Sequence, residues 1–343
     1  MLNDRIGAYV RGARRDGFDE LVGAAFALHF EANPPLRRLA VAAGLAPDTL
    51  RDWRDVPLIP TLAFKHTRLA IAEPQEIFES SGSTAATPSR HYHPYPDLYR
   101  QVIDATFPAA LLDGDQRPPM LTLVPDRADA PHSSLAFMLD HARRRWGGEG
   151  TVSAVGPAGL RAQPARSFLA ARQRDRRPPL ILATSFALAE LLDLLARLKL
   201  SFRLPAGSRI FETGGFKGRR RELSRAAIEQ AIGERLGLPP SAVTREYGMT
   251  ELTSQFYSAP GSDLYTPPPW VRFQVLEPAS LRPAPPGQPG LLAVFDLANV
   301  GSALHVLTED LATAEDEGFR LVGRAAGAEL RGCSLLSEAL AAP

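Results

Sequence analysis

Between residues 120 and 246 short apolar runs alternate with helical stripes, and this alternation limits the possible fold more than any other feature of the chain. Met120-Leu121-Thr122-Leu123-Val124 and Leu180-Ile181-Leu182-Ala183-Thr184 have the length and apolar content of buried strands. Residues 132–145 read as a helix. Leu188, Leu191, Leu192, Leu195 and Leu198 form one stripe at helical spacing. Strands at 208–211 and 242–246 flank a helix predicted over 219–236, where Leu223, Ala227, Ile228, Ala231 and Ile232 share one side. Such alternation implies an α/β sheet. Strands predicted at 270–276, 290–297 and 319–323 make the remainder β-rich, with a five-proline loop over 277–290. Upstream, helices over 17–32 and 35–44 are broken by Pro34-Pro35. Val56-Pro57-Leu58-Ile59-Pro60 is extended, and 97–112 reads as a helix.

At 343 residues the chain can bury one large core or divide into two domains. A net charge of +1 gives no reason to expect a nucleic-acid or membrane partner, and no apolar run approaches the ~18 residues of a membrane span. With no leader pattern at the start, the expected location is the cytoplasm. The single cysteine, Cys333, excludes an internal disulfide and a cysteine-rich zinc site. Lys65, Lys199 and Lys217 are the only lysines in an arginine-rich chain, so each is a candidate for a role that arginine would not fill. Among the seven histidines only His91-x-His93 approaches a metal-ligand spacing, and with no third ligand nearby surface or core positions suit them better.

Five motifs carry chemistry. Ser80-Ser81-Gly82-Ser83-Thr84 packs hydroxyls around a glycine, a composition able to face phosphate oxygens and also that of an ordinary surface loop. Glu212-Thr213-Gly214-Gly215-Phe216-Lys217 follows a strand; its glycines let a flat ring lie on the backbone, or simply make a tight β–α turn. Arg245-Glu246-Tyr247-Gly248-Met249-Thr250-Glu251 puts a hydroxyl beside a carboxylate, suited to a phosphate and its Mg²⁺, with Tyr247 as an aromatic face. Its plain alternative is a strand leading into a helix capped by Thr250. Thr308-Glu309-Asp310 offers a carboxylate beyond a strand for ribose hydroxyls, or a solvated acidic loop. Gly323-Arg324 through Arg331-Gly332-Cys333 reads as a hairpin turning at Gly327, with Arg324 able to bridge ribose and phosphate.

In this order the motifs resemble those of adenylate-forming enzymes, the acyl-CoA synthetases and their relatives. Phe78-Glu79-Ser80-Ser81-Gly82-Ser83-Thr84, Glu212 to Arg219 and Arg331-Gly332-Cys333-Ser334-Leu335 are closer to the acyl-protein synthetase (LuxE-like) branch. The resemblance covers roughly residues 57–335. It implies the α/β N-terminal-domain fold of that superfamily, with ATP and Mg²⁺ as cofactors. It also implies formation of an acyl-adenylate, then transfer of the acyl group to a thiol. By resemblance, Ser80, Ser81, Gly82, Ser83 and Thr84 hold phosphates, Gly214 and Gly215 with Tyr247 frame the adenine, and Glu246 and Gly248 belong to the same cofactor site. Thr250 contacts the α-phosphate, Glu251 the metal, Asp310 the ribose, and Arg324 the ribose or a hinge. The acid substrate is a fatty acid or another carboxylate, with pocket residues expected around 132–137, 184–187 and 247–256. The acyl acceptor is Cys333 itself or a partner protein such as a reductase or carrier.

Three departures qualify the resemblance. Ala85 replaces the second glycine of the loop. Larger relatives add a mobile C-terminal domain with a catalytic lysine, whereas this sequence runs 19 residues past Arg324 and has no lysine beyond Lys217. The expectation is a core over 1–310 and a tail over 311–343, a vestige of that domain, with Lys217 or Lys65 taking the missing lysine's part. Cys333, beside Arg331, is the candidate acyl carrier, since a neighbouring cation raises the thiolate fraction. Loss of the lysine with the domain leaves a second possibility: a nucleotide-binding or scaffold subunit with reduced catalysis.

Overall fold

The computed structural model describes residues 1–13, 15–80, 87–214 and 224–325. The chain divides into two compact units. One takes in Met1–Ala105, Met249–Gln255 and the described residues from Thr266 on; the other takes in Thr106–Gly248 and Phe256–Tyr265.

The second unit realises the alternation. Strands Met120–Leu123, Val152–Ser153, Leu180–Thr184, Arg209–Thr213 and Val243–Tyr247 are parallel. Numbered by sequence, their spatial order is 2-1-3-4-5. Phe256–Ser258 adds an antiparallel strand beside Val243–Tyr247. Helices Ser134–Trp146, Ala162–Asp175, Ser185–Arg197 and Arg225–Leu236 occur between successive strands. Their stripes close the core: Leu188, Leu191, Leu192 and Leu195 pack with Leu121, Ile181, Ile210, Ile228 and Ile232. Three of the four helix starts are local chemistry, with Ser133, Thr184 and Ser224 accepting N-cap hydrogen bonds from Ala136, Ala187 and Ala227; Ala162–Asp175 starts at Arg161 without a side-chain cap. Gly237 closes the last helix in the left-handed conformation. The helix predicted from 219 is described from Arg225; residues 219–223 lie outside the described residues.

The first unit holds an antiparallel meander of Val271–Leu276, Gly290–Asp296, His305–Glu315 and Gly318–Arg324. Ile59–Pro60 joins it parallel to His305–Glu315. Strand Gly290–Asp296 is buried along its whole length. Pro34 and Pro35 do not merely interrupt helices: they occupy the first turn of Pro34–Ala42, where a missing N–H costs nothing, behind an Asn33 cap. Thr308-Glu309-Asp310 is not a loop beyond a strand but lies inside the eleven-residue strand His305–Glu315, where Gly318–Arg324 pairs with its outer half. The boundary expected at 310/311 falls within that strand. A helix at Leu2–Val10 and a hairpin of Glu76–Glu79 with Arg90–His93 were not read from the sequence. No helix among the described residues is long and apolar enough to cross a membrane.

Candidate active site

In the second unit, parallel register sets Thr184, Thr213 and Glu246 in one row across three neighbouring strands, at their carboxyl ends. In open α/β sheets ligands bind beyond such ends, and the order 2-1-3-4-5 places the topological switch between Met120–Leu123 and Leu180–Thr184. Ser185 donates its hydroxyl to the Gly214 carbonyl. Gly214 has φ +68°, and the position a Cβ would take there is open among the described residues. A side chain at that φ is strained, so glycine is required by the turn itself. Thr213 donates to the Glu246 carboxylate, which lies where a Cβ on Gly248 would stand. Gly248 therefore leaves room for the close approach of a carboxylate, and has no unusual φ. Tyr247 is buried, its ring centroid 5.8 Å from Phe256 and 6.0 Å from Tyr265. Burial and the Glu246 charge push the Tyr265 hydroxyl up to about 12, so it stays protonated at neutral pH. Below this row, buried Arg245 pairs with Glu212 at 3.3 Å and with Glu229 at 2.8 Å.

In the first unit, Met249–Gln255 is a turn and not a capped helix; the Leu252 N–H donates to the Met249 carbonyl at 3.2 Å. Thr250 is half-buried, and Glu251 is buried. Both carbonyls are held by side chains. His91 Nδ1 lies 2.7 Å from the Thr250 oxygen, and Asn299 Nδ2 donates to the Glu251 oxygen at 3.0 Å and to the Ala303 oxygen at 2.7 Å. A carbonyl only accepts, so His91 carries its proton on Nδ1. The Thr253 hydroxyl donates to Asn299 Oδ1 at 2.8 Å and must then accept from His93 Nε2 at 3.0 Å, which sets the other tautomer for His93. Burial pushes His91 down to about 4 and His93 well below its ordinary value, so both rings are neutral. Asp296 completes the cluster, accepting from the Thr253 and Ser254 N–H groups and from the Ser254 hydroxyl.

The expected ribose ligands meet each other: Asp310 and Arg324 are register partners, with Arg324 Nε 3.4 Å from Asp310 Oδ1 and Nη2 3.0 Å from Glu309 Oε2. Ser80 stands at the base of the serine-rich loop, where its N–H donates to the Ser89 carbonyl and its hydroxyl accepts from the Ser89 N–H, each at 3.0 Å. Ser81, Gly82, Ser83, Thr84, Ala85, Gly215, Lys217 and Cys333 lie outside the described residues, as does the hairpin expected through Gly327. Lys65 sits half-buried in the short helix Ala63–His66. His91, Asp296 and Asn299 were missed as site residues. The sequence suggests a surface or core position for His91, and the ring is buried. Among the described residues no three acid, histidine or cysteine groups could hold a metal ion.

Comparison with known proteins places this geometry. The long-chain-fatty-acid–luciferin-component ligase of Aliivibrio fischeri is 21% identical over 304 residues, spanning 87% of this chain and 79% of that protein. Its namesake in Vibrio harveyi is 23% identical over 337 residues, spanning 94% and 88%. Among solved structures, 2-hydroxyisobutyryl-CoA ligase in an open conformation, bound to 2-HIB-AMP and CoA, matches with a TM-score of 0.64 at 16% identity, over 89% of this chain and 74% of that one. ATP-bound MatB from Rhodopseudomonas palustris matches with a TM-score of 0.51 at 14% identity, over 72% of this chain and 47% of that one. At such identities the structures establish the fold, which is that of adenylate-forming ligases. The family model "Acyl-protein synthetase, LuxE" matches residues 170–341, half of the chain, and takes in the Gly-Gly, Tyr-Gly-Met-Thr-Glu, Thr-Glu-Asp and Arg-Gly-Cys motifs, so the chain belongs to the LuxE acyl-protein synthetase family.

Proposed function

We propose that this ligase activates a long-chain fatty acid with ATP and Mg²⁺ and passes the acyl group to a thiol of its own or of a protein partner. A carboxylate oxygen attacks the α-phosphorus, the bond to pyrophosphate breaks, and acyl-adenylate forms. A thiolate then attacks the acyl carbon, giving a thioester and releasing AMP. The observation that carries this reading is the family-model match over residues 170–341, the stretch that holds four of the five motifs. The substrate class and a protein acceptor are suggested by the names of the two curated relatives. ATP dependence makes the cytoplasm the working compartment.

In this reading Ser80, Ser81, Gly82, Ser83 and Thr84 take the phosphates, Gly214, Gly215 and Tyr247 the adenine, and Glu246 and Gly248 complete the cofactor site. Thr250 contacts the α-phosphate, and Asp310 and Arg324 the ribose. The open face of Gly214 suits a flat base. Glu251 takes the metal: Mg²⁺ on a nucleotide draws most of its oxygens from phosphates and water, so one buried carboxylate is a fitting contribution. Lys217 neutralises developing charge. Residues 1–310 form the adenylating core, and 311–343 the tail that brings Cys333 as acyl carrier.

Pyrophosphate release and acyl-adenylate mass, measured with ATP, Mg²⁺ and saturated acids of increasing chain length, test the reading. The expected result is adenylate with long chains and, in Cys333→Ala, adenylate without covalent acyl-enzyme. ATP binding without adenylate from any acid would favour a nucleotide-binding or scaffold subunit. Acyl-enzyme persisting in Cys333→Ala would remove that residue from the transfer step.

A further inference from the structure

We infer that His91 is a positioning residue for adenylation, fixing the Thr250-Glu251 peptide so that the Thr250 hydroxyl is held ready for the α-phosphate. The inference rests on the role given to Thr250 above and assigns His91 a part in it. Three observations carry it.

The segment after strand Val243–Tyr247 has left the sheet ladder, so its shape depends on other partners. Its two consecutive carbonyls, at Thr250 and Glu251, are held by side chains 159 and 48 residues away in sequence, those of His91 and Asn299. Both holders are buried. A turn gripped at two successive carbonyls has little freedom to rotate the intervening peptide, and the Thr250 side chain moves with that peptide.

The His91 ring cannot readily turn away. It meets Phe64 edge-on at 5.9 Å and 86°, meets Phe78 at 6.4 Å and 70°, and lies 5.0 Å from the His93 ring. Its Nε2 has no hydrogen-bond partner among the described residues, so the hydrogen-bonding work of this side chain is concentrated at Nδ1.

His91 also lies on strand Arg90–His93, which leads directly out of the serine-rich loop whose base is pinned by Ser80 and Ser89. One short strand therefore ties the base of the proposed phosphate loop to the residue proposed for the α-phosphate. Displacement of a reacting group by about an ångström can cost on the order of a hundredfold in rate, so such a tie has kinetic consequences.

The test uses the full chain with ATP, Mg²⁺ and its best acid, reading kcat for adenylate formation, Kd for ATP and melting temperature. His91→Leu keeps bulk and removes the donor; it is expected to lower kcat about 10- to 100-fold while ATP Kd changes less than about threefold, as for an interaction made in the transition state. His91→Asn carries an N–H near the Nδ1 position and should recover most of the rate. His91→Gln places its amide near Nε2, away from Thr250, and should not. In a Thr250→Val background, His91→Leu should cause no further loss, because nothing remains to be positioned.

Equal losses from His91→Leu in both backgrounds would reduce His91 to a packing residue and overturn the inference. If His91→Leu does not fold, equal rates for the Asn and Gln variants would overturn it instead. Unimpaired adenylation in Thr250→Val alone would first overturn the role given to Thr250. Loss in Thr250→Val with full rate in His91→Leu would sink only the inference.

Discussion

Asp296 ends strand Gly290–Asp296 with no exposed surface, and its carboxylate is solvated entirely by protein. One oxygen accepts the Thr253 and Ser254 N–H groups at 3.2 and 2.8 Å; the other accepts the Ser254 hydroxyl at 2.8 Å and the Ala298 N–H at 3.0 Å. Trp270 Nε1 donates to the same Ser254 hydroxyl at 2.8 Å. Burial pushes the Asp296 carboxyl up to about 6, and the bonds from Ser254, Thr253 and Ala298 pull it back, so it is an anion at neutral pH. Asp296→Asn turns one acceptor into a donor facing donors, whichever way the amide is placed. Two charge-assisted bonds are lost, and the expected destabilisation is about 3–5 kcal/mol. Urea denaturation measures it, and a loss below about 1 kcal/mol would show that the cluster is not held as described. Thr250 and Glu251 stand out in the sequence as candidates because their motif is contiguous. Asp296 and Asn299 could not, because their partners are brought to them only by the tertiary fold.

The hairpin of Glu76–Glu79 with Arg90–His93 shows the same limit one level up. Its strands have four residues each, and Arg-His-Tyr-His has no apolar alternation to betray a strand. The histidines take the inward positions, neutral and packed as aromatic rings. Phe78 is the keystone of that packing: it is buried and lies 6.4, 5.9 and 5.8 Å from the rings of His91, His93 and Tyr99. Phe78→Ala is expected to cost about 3–5 kcal/mol, as for a large ring removed from a core. Because Phe78 lies two residues before Ser80, it should also weaken ATP binding. A thermal melt and an ATP titration check both, and unchanged affinity in a destabilised but folded variant would separate the hairpin from the proposed phosphate loop. Four of the five parallel strands of the second unit, by contrast, were legible within a residue or two; the two-residue strand Val152–Ser153 was not. Strands with their apolar side chains packed in the core leave a plain apolar run, as Leu180–Thr184 does. Strand His305–Glu315 was hidden by Thr308-Glu309-Asp310, whose acidic charge is met by Arg324 on the neighbouring strand.

Across the whole molecule the buried titratable groups give stability a definite pH dependence. His29, His91, His93 and His305 are buried in the first unit. His29 donates to the Val300 carbonyl and His305 to the Val56 carbonyl, each at 2.8 Å. Burial pushes His29, His91 and His305 down to about 4, and His93 well below the ordinary 6.5. Unfolding restores the ordinary value, so between about pH 6.5 and 4 the unfolded chain binds more protons and stability falls as pH falls. Asp296 opposes this: raised to about 6 from 3.8, it binds its proton earlier in the folded state and offsets one of the four histidines below pH 6. The histidines win by number, and the net loss by pH 5 is on the order of 5 kcal/mol. That is comparable to the whole stability of many domains, ~5–15 kcal/mol. Melting temperature is therefore expected to fall steeply from pH 7 to pH 5, with net proton uptake on unfolding in that window. A replacement such as His305→Phe, which removes one titrating group while keeping an aromatic ring beside Trp53 and Phe295, should flatten the slope by about one proton. A flat profile between pH 7 and 5 in the unmodified protein would mean that these histidines are not held neutral by the fold.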